Sequence, residues 1–108
     1  MVTTLRLPFR TVEPTRITLA DRARDMGQWA IAARYYREAL DRNPDNAPIW
    51  VQYGHALKEQ GLLQPAEEAY RRSLTHDDTL ADTHLQLGHV LKLQGRPYEA
   101  AEAGFGSV

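Results

Sequence analysis

Four histidines, His55, His76, His84 and His89, are the side chains best suited to metal or proton chemistry. A helical pair of metal ligands needs i, i+4 spacing so that both rings share a face. His84 and His89 are five apart. His55 and His89 approach each other only if a repeat brings them to equivalent places. A physiological zinc site also draws on cysteine or clustered carboxylates, and the chain has no cysteine. Neither a metal nor another cofactor is therefore expected. The same absence excludes disulfides and a thiolate nucleophile, and fits a reducing compartment. The serines are Ser73, inside a regular apolar pattern, and Ser107, in the last residues. Neither has the setting of a catalytic triad. Glu67-Glu68 and Asp77-Asp78 are adjacent pairs, and neighbours on a helix diverge. The glycines form no phosphate loop. No catalytic residue is expected, and the chain reads as a non-enzyme.

Charge narrows the partners further. The formal net charge of -1 gives no field to attract nucleic acid or an anionic membrane. Arg16, Arg22, Arg24, Arg34, Arg37 and Arg42 crowd one stretch, but Asp21, Asp25, Glu38 and Asp41 interleave with them. That is helix-surface pairing rather than a phosphate track. No run approaches the ~20 apolar residues of a membrane span. Residues 1–10 are interrupted by Arg6 and Arg10 and lack the core of a secretory signal. A cytoplasmic protein with no nucleic-acid or membrane partner is expected.

What positions these groups is a repeat. Gly27, Gly61 and Gly95 recur at a step of 34 residues, as do Ala32, Ala66 and Ala100. Leu19, Tyr53 and Leu87 follow the same step, as do Ala20, Gly54 and Gly88, and Ala23, Leu57 and Leu91. Tyr36 matches Tyr70, and Leu40 matches Leu74. Coincidences at one period imply stacked copies of one supersecondary unit. Within the period, Ile49, Trp50, Tyr53, Ala56 and Leu57 recur at helical spacing, and so do Ala66, Ala69, Tyr70, Ser73 and Leu74. The glycine between them suits a helix C-terminus at positive φ. Asn46 and Thr79 are the expected N-caps, and Pro48 suits a first helical turn. Helix pairs are predicted at about 13–26 and 29–42, 47–60 and 63–76, and 81–94 and 97–103. Small residues on both helices let the backbones approach. A lone pair cannot bury both faces, so the pairs must stack.

These residues resemble the tetratricopeptide repeat family. Trp50, Tyr53, Gly54, Leu57, Gly61, Ala66, Tyr70 and Ser73 fill its pattern in the second unit. His84, Leu87, Gly88, Leu91, Gly95 and Ala100 fill it in the third. Arg16, Leu19, Ala20, Ala23, Ala32, Tyr36, Ala39 and Pro44 do so in the first. The stretches around Gly54–Gly61 and Leu87–Gly95 are similar to repeats of O-linked N-acetylglucosamine transferases and related bacterial proteins, where repeats precede a catalytic domain. The resemblance implies an all-α fold: an α-solenoid of antiparallel helix pairs coiled as a right-handed superhelix. It divides the chain into an extension (1–12), repeats at 13–46 and 47–80, and a partial repeat at 81–108. Gly104 and Gly106 oppose helix in the last hairpin, which is expected to be incomplete.

The resemblance also implies function. First helices of successive pairs line a groove that binds a peptide or partner protein. By register the groove presents Ile17, Asp21 and Arg24, then Val51, His55 and Lys58, then Leu85, His89 and Lys92. Arg24, Lys58 and Lys92 form a basic ladder suited to an acidic peptide. Thr18, Gln52 and Gln86 form a second ladder. In the glycosyltransferase relatives, asparagines at this position grip a peptide backbone, and glutamine has the same donor and acceptor. The clamp by which some relatives hold a chaperone's C-terminal carboxylate is not matched, because its positions hold Ile17, Asp21, Val51, Asp82 and Gln86. An alternative is structural. If the last hairpin is incomplete, the apolar face around Leu87, Leu91 and Ala100 lacks cover and the chain associates as a homo-oligomer through its C-terminal edge.

Overall fold

A computed structural model describes residues 14–102. Six helices follow in order: α1 (Arg16–Asp25), α2 (Trp29–Arg42), α3 (Ala47–Glu59), α4 (Leu63–His76), α5 (Ala81–Leu93) and α6 (Pro97–Glu102). No strand occurs among the described residues. The expected helices lie within a few residues of these, and the largest difference is at the start of α1. The expectations for residues 1–12 and for the tail after Glu102 fall outside the described residues.

Each pair is closed by the same device. Gly27, Gly61 and Gly95 have φ of 72°, 80° and 77°. This left-handed conformation costs an L-residue its Cβ clearance, and glycine has none to lose. It turns the next amide back onto the helix just ended. Gln28 N donates to Ala23 O at 2.8 Å, Leu62 N to Leu57 O at 3.0 Å and Arg96 N to Leu91 O at 2.8 Å. The glycine amides donate to Arg24, Lys58 and Lys92 carbonyls. These two bonds define the Schellman ending, present three times.

The turns between pairs are less uniform. Asn46 caps α3, its side chain accepting from Ile49 N at 3.3 Å, and Pro48 sits in the first turn. Thr15 caps α1 by accepting from Thr18 N. Thr79 does not cap α5. The cap position belongs to Leu80, which lies 34 residues after Asn46 and has no side-chain acceptor. Instead Asp77 accepts from both the amide and the hydroxyl of Thr79, so the turn is tied upstream of the helix.

One core runs through the stack, from Ala20, Ala32 and Tyr36 through Trp50, Leu57 and Tyr70 to Leu87, Leu91 and Ala100. Helices pack chiefly on their neighbours in the chain, within pairs and from pair to pair. Trp50 Nε1 donates to Pro44 O at 2.7 Å, pinning α3 to the preceding turn. The buried Ser73 hydroxyl donates to Ala47 O at 2.9 Å, joining the end of α4 to the start of α3. The face formed by Leu87, Leu91 and Ala100 is not uncovered, contrary to expectation. All three are buried, because α6 packs along α5 and brings Ala100 into the core.

At Gly54 the α3 backbone meets the Tyr70 ring. A Cβ there would lie 2.6 Å from Tyr70 Cε1 and 2.8 Å from Cδ1. Tyr70 is wholly buried and cannot swing away. Gly54→Ala gains about 1 kcal/mol of helix propensity against an overpacking cost of about 1–3 kcal/mol. A net loss of up to about 2 kcal/mol is expected, read as a lower urea midpoint with an unchanged m-value.

Candidate functional site

The predicted groove residues all lie on the first helices: Ile17, Asp21 and Arg24 on α1; Val51, Gln52, His55 and Lys58 on α3; Leu85, Gln86, His89 and Lys92 on α5. Many of them bond to each other, in a pattern that itself repeats. Arg24 Nη1 donates to Gln52 Oε1 at 3.3 Å. One period later Lys58 Nζ donates to Gln86 Oε1 at 2.9 Å. The basic and amide ladders are thus a single set of rungs, each joining the cation of one unit to the glutamine of the next. Neither glutamine's Nε2 has a partner among the described residues. Lys92 is exposed and likewise without one.

A second periodic bond runs inside the first two pairs. Tyr36 Oη donates to Asp21 Oδ1 at 2.6 Å. In the next unit Tyr70 Oη and His55 Nδ1 are 2.7 Å apart, with the rings edge to face at 5.5 Å between centroids. Burial raises both tyrosines above their ordinary range; the Asp21 bond adds to this at Tyr36, and nearby Asp82 and Glu59 add at Tyr70. Both hydroxyls therefore remain available as donors. His55 is held below the usual histidine range, first by burial and then by Lys58, against the pull of Asp82, whose carboxylate is 4.0 Å away. A neutral His55 can accept the tyrosine proton at Nδ1. His89 is exposed, and fifteen residues after it the sequence has Gly104 where the other units have tyrosine.

The apolar ladder is uneven. Val51 is 7% exposed and Leu85 is 56% exposed. Val51 and Gln52 share a shallow depression of about 380 Å³ with Pro48, Thr79, Leu80 and Asp82, at the join with the next pair. Leu85 has no such neighbour among the described residues. Arg24 is the most constrained of the cations, since Asp21, Asp25, Tyr36 and Gln52 all surround its guanidinium. No group of three or more metal-ligating side chains occurs among the described residues.

Residues that sequence reasoning missed join the second pair to the third. The largely buried Glu67 on α4 accepts from Arg71 Nε at 2.9 Å, Gln94 Nε2 at 2.9 Å and Arg96 Nη1 at 2.6 Å. Arg96 also makes a bidentate bond to Glu99. Burial alone would raise Glu67, but the bonds from Gln94, Arg71 and Arg96 outweigh it and hold the carboxyl below its ordinary range. The available signal was a break in the repeat: Glu67 stands where the first unit has Ala33.

Stacked pairs closed by identical turns, with rungs at a 34-residue step, are the geometry of tetratricopeptide arrays. A family model described as the middle TPR-like domain of cilia and flagella-associated protein 70 matches residues 17–108. The chain belongs to this tetratricopeptide-like family. The tetratricopeptide-like chain is also similar to solved structures. The Arabidopsis OM64 TPR domain superposes with a TM-score of 0.78 at 25% identity, covering 82% of this chain and 73% of that one. A MamA point mutant superposes with a TM-score of 0.78 at 19% identity, covering 82% of this chain and 48% of that one, a likeness of fold alone. No curated protein matches by sequence. Tetratricopeptide-like domains are generally non-enzymatic scaffolds, and the likeness is to protein-interaction modules. No helix among the described residues is long and apolar enough to cross a membrane.

Proposed function

We propose that the face built by α1, α3 and α5 binds an extended, acidic segment of a partner protein. The observation that carries this reading is the pair of equivalent rungs, Arg24–Gln52 and Lys58–Gln86, running out to an unpartnered Lys92. Each rung holds a cation in place before a ligand arrives, which lowers the ordering cost of binding. Each leaves glutamine N–H donors for a peptide carbonyl, while Lys58 and Lys92 face acidic side chains. The chain would then be the substrate-selecting arm of a larger protein.

Charge reversal tests it. Lys58→Glu with Lys92→Glu is expected to weaken an acidic peptide by roughly a hundredfold, since like charges oppose where opposite charges attracted. Calorimetric titration reads the change. Affinity within a factor of roughly two of the parent chain would remove the reading.

A second reading has its own observation. Leu85, Leu93 and Tyr98 of the third unit are 56%, 53% and 87% exposed. Leu85 stands one repeat on from the buried Val51. A second copy seated on this edge would bury it. Sedimentation across concentrations separates the two readings: a strict monomer at high concentration removes self-association.

A further inference from the structure

The second helices carry a different kind of site. Between α2 and α4 lies a groove of about 500 Å³ floored by Trp50 and Tyr53. Arg37, Arg71 and Arg72 all line it, and Glu68 is the one carboxylate among its lining residues. Two of the guanidiniums share one indole. Arg37 Cζ lies 5.8 Å and Arg72 Cζ 5.4 Å from the Trp50 ring centroid. The ring's quadrupole attracts both cations. Arg37 Nε is engaged by Asp41 at 3.2 Å, and Arg71 Nε by Glu67 at 2.9 Å, which leaves the terminal nitrogens of each. Arg72 has no carboxylate partner among the described residues.

We propose that this groove binds a phosphorylated serine or threonine side chain of a partner protein. Asp41 and Glu67 already match Arg37 and Arg71, so the positive charge a phosphoryl group meets comes from Arg72, with the terminal nitrogens of Arg37 and Arg71 as further donors. Guanidinium forks match tetrahedral phosphate oxygens in pairs. Contact with Trp50 restrains Arg37 and Arg72 beforehand, which lowers the side-chain freedom lost on binding. Tyr53 and Pro65 supply apolar walls for the residues flanking the phosphate. Its arginines lie on α2 and α4, away from the acidic-peptide face, and the site stands or falls independently of that face.

The test compares a phosphoserine peptide with its serine counterpart on the whole chain. Calorimetry measures affinity, and the Trp50 indole N–H signal in NMR reports location. The phosphopeptide is expected to bind roughly tenfold or more tightly than the serine form and to shift Trp50. Arg72→Gln and, separately, Arg37→Gln should each remove most of that advantage, with circular dichroism confirming the fold. Lys58→Gln with Lys92→Gln should leave it intact. Equal affinity for the two peptides overturns the proposal. So does an advantage that survives both arginine changes or vanishes with the lysine pair.

Discussion

Tyr70→Ala is expected to lower stability by about 3–5 kcal/mol, the range for losing a buried aromatic. Tyr70 is 0% exposed, fits the gap left by Gly54, packs edge to face on His55 and bonds to its Nδ1. Removing the ring opens a cavity between α3 and α4 and leaves the His55 nitrogen without its partner. A domain of this size holds roughly 5–15 kcal/mol in all, so the loss is a large share. Tyr70→Phe keeps the ring and removes the hydroxyl, and should cost only about 1 kcal/mol. Urea melts of both variants check the result. Similar losses for the two would mean that the hydrogen bond, not the packing, carries Tyr70.

Glu67→Ala is expected to loosen the third pair specifically. The carboxylate takes three donors, two of them from the turn that follows α5. Hydrogen bonds to a charged group are worth about 1.5–3 kcal/mol. Arg71 and Arg96 are partly exposed and recover water when released, so the loss should lie within that range. Contacts in a repeat array are local. Hydrogen exchange should therefore quicken in α5 and α6 and change little in α1 and α2. The same group sets an acid limit. Its carboxyl is held below the ordinary value of 4.5 in the fold. The stabilisation is complete above the unfolded value and is lost as pH falls through the folded one. Glu67→Gln should flatten that loss. Uniform acceleration of exchange across all helices would show that Glu67 supports the whole stack rather than one joint.

Most of the architecture was legible because it is periodic. Gly27, Gly61 and Gly95 announce the turns, and their positive φ values are what only glycine adopts cheaply. Helix limits followed from the same register. The groove residues could be placed on their helices for the same reason, since a 34-residue step returns the same face. What periodicity hid was pairing across it. Arg24 and Gln52 are 28 residues apart, as are Lys58 and Gln86, so each ladder was visible while the rung between ladders was not. Features that break the period were also missed. Glu67 was read as half of an adjacent acid pair, yet it is buried while Glu68 is exposed. Thr79 looks like a cap by residue type, but the register assigns that place to Leu80. The uncovered edge was sought at Leu87 and Leu91, which α6 protects. Exposure instead falls on Leu85, Leu93 and Tyr98.

The direct test of the binding face is an NMR titration of the labelled chain with an extended, unphosphorylated acidic peptide. Shifts should concentrate on the side-chain amides of Gln52 and Gln86 and on Lys58, His89 and Lys92, with α2 and α4 quiet. Shifts centred on α2 and α4, or no shift at any of those five residues at millimolar peptide (roughly 4 kcal/mol of binding or less), would contradict it.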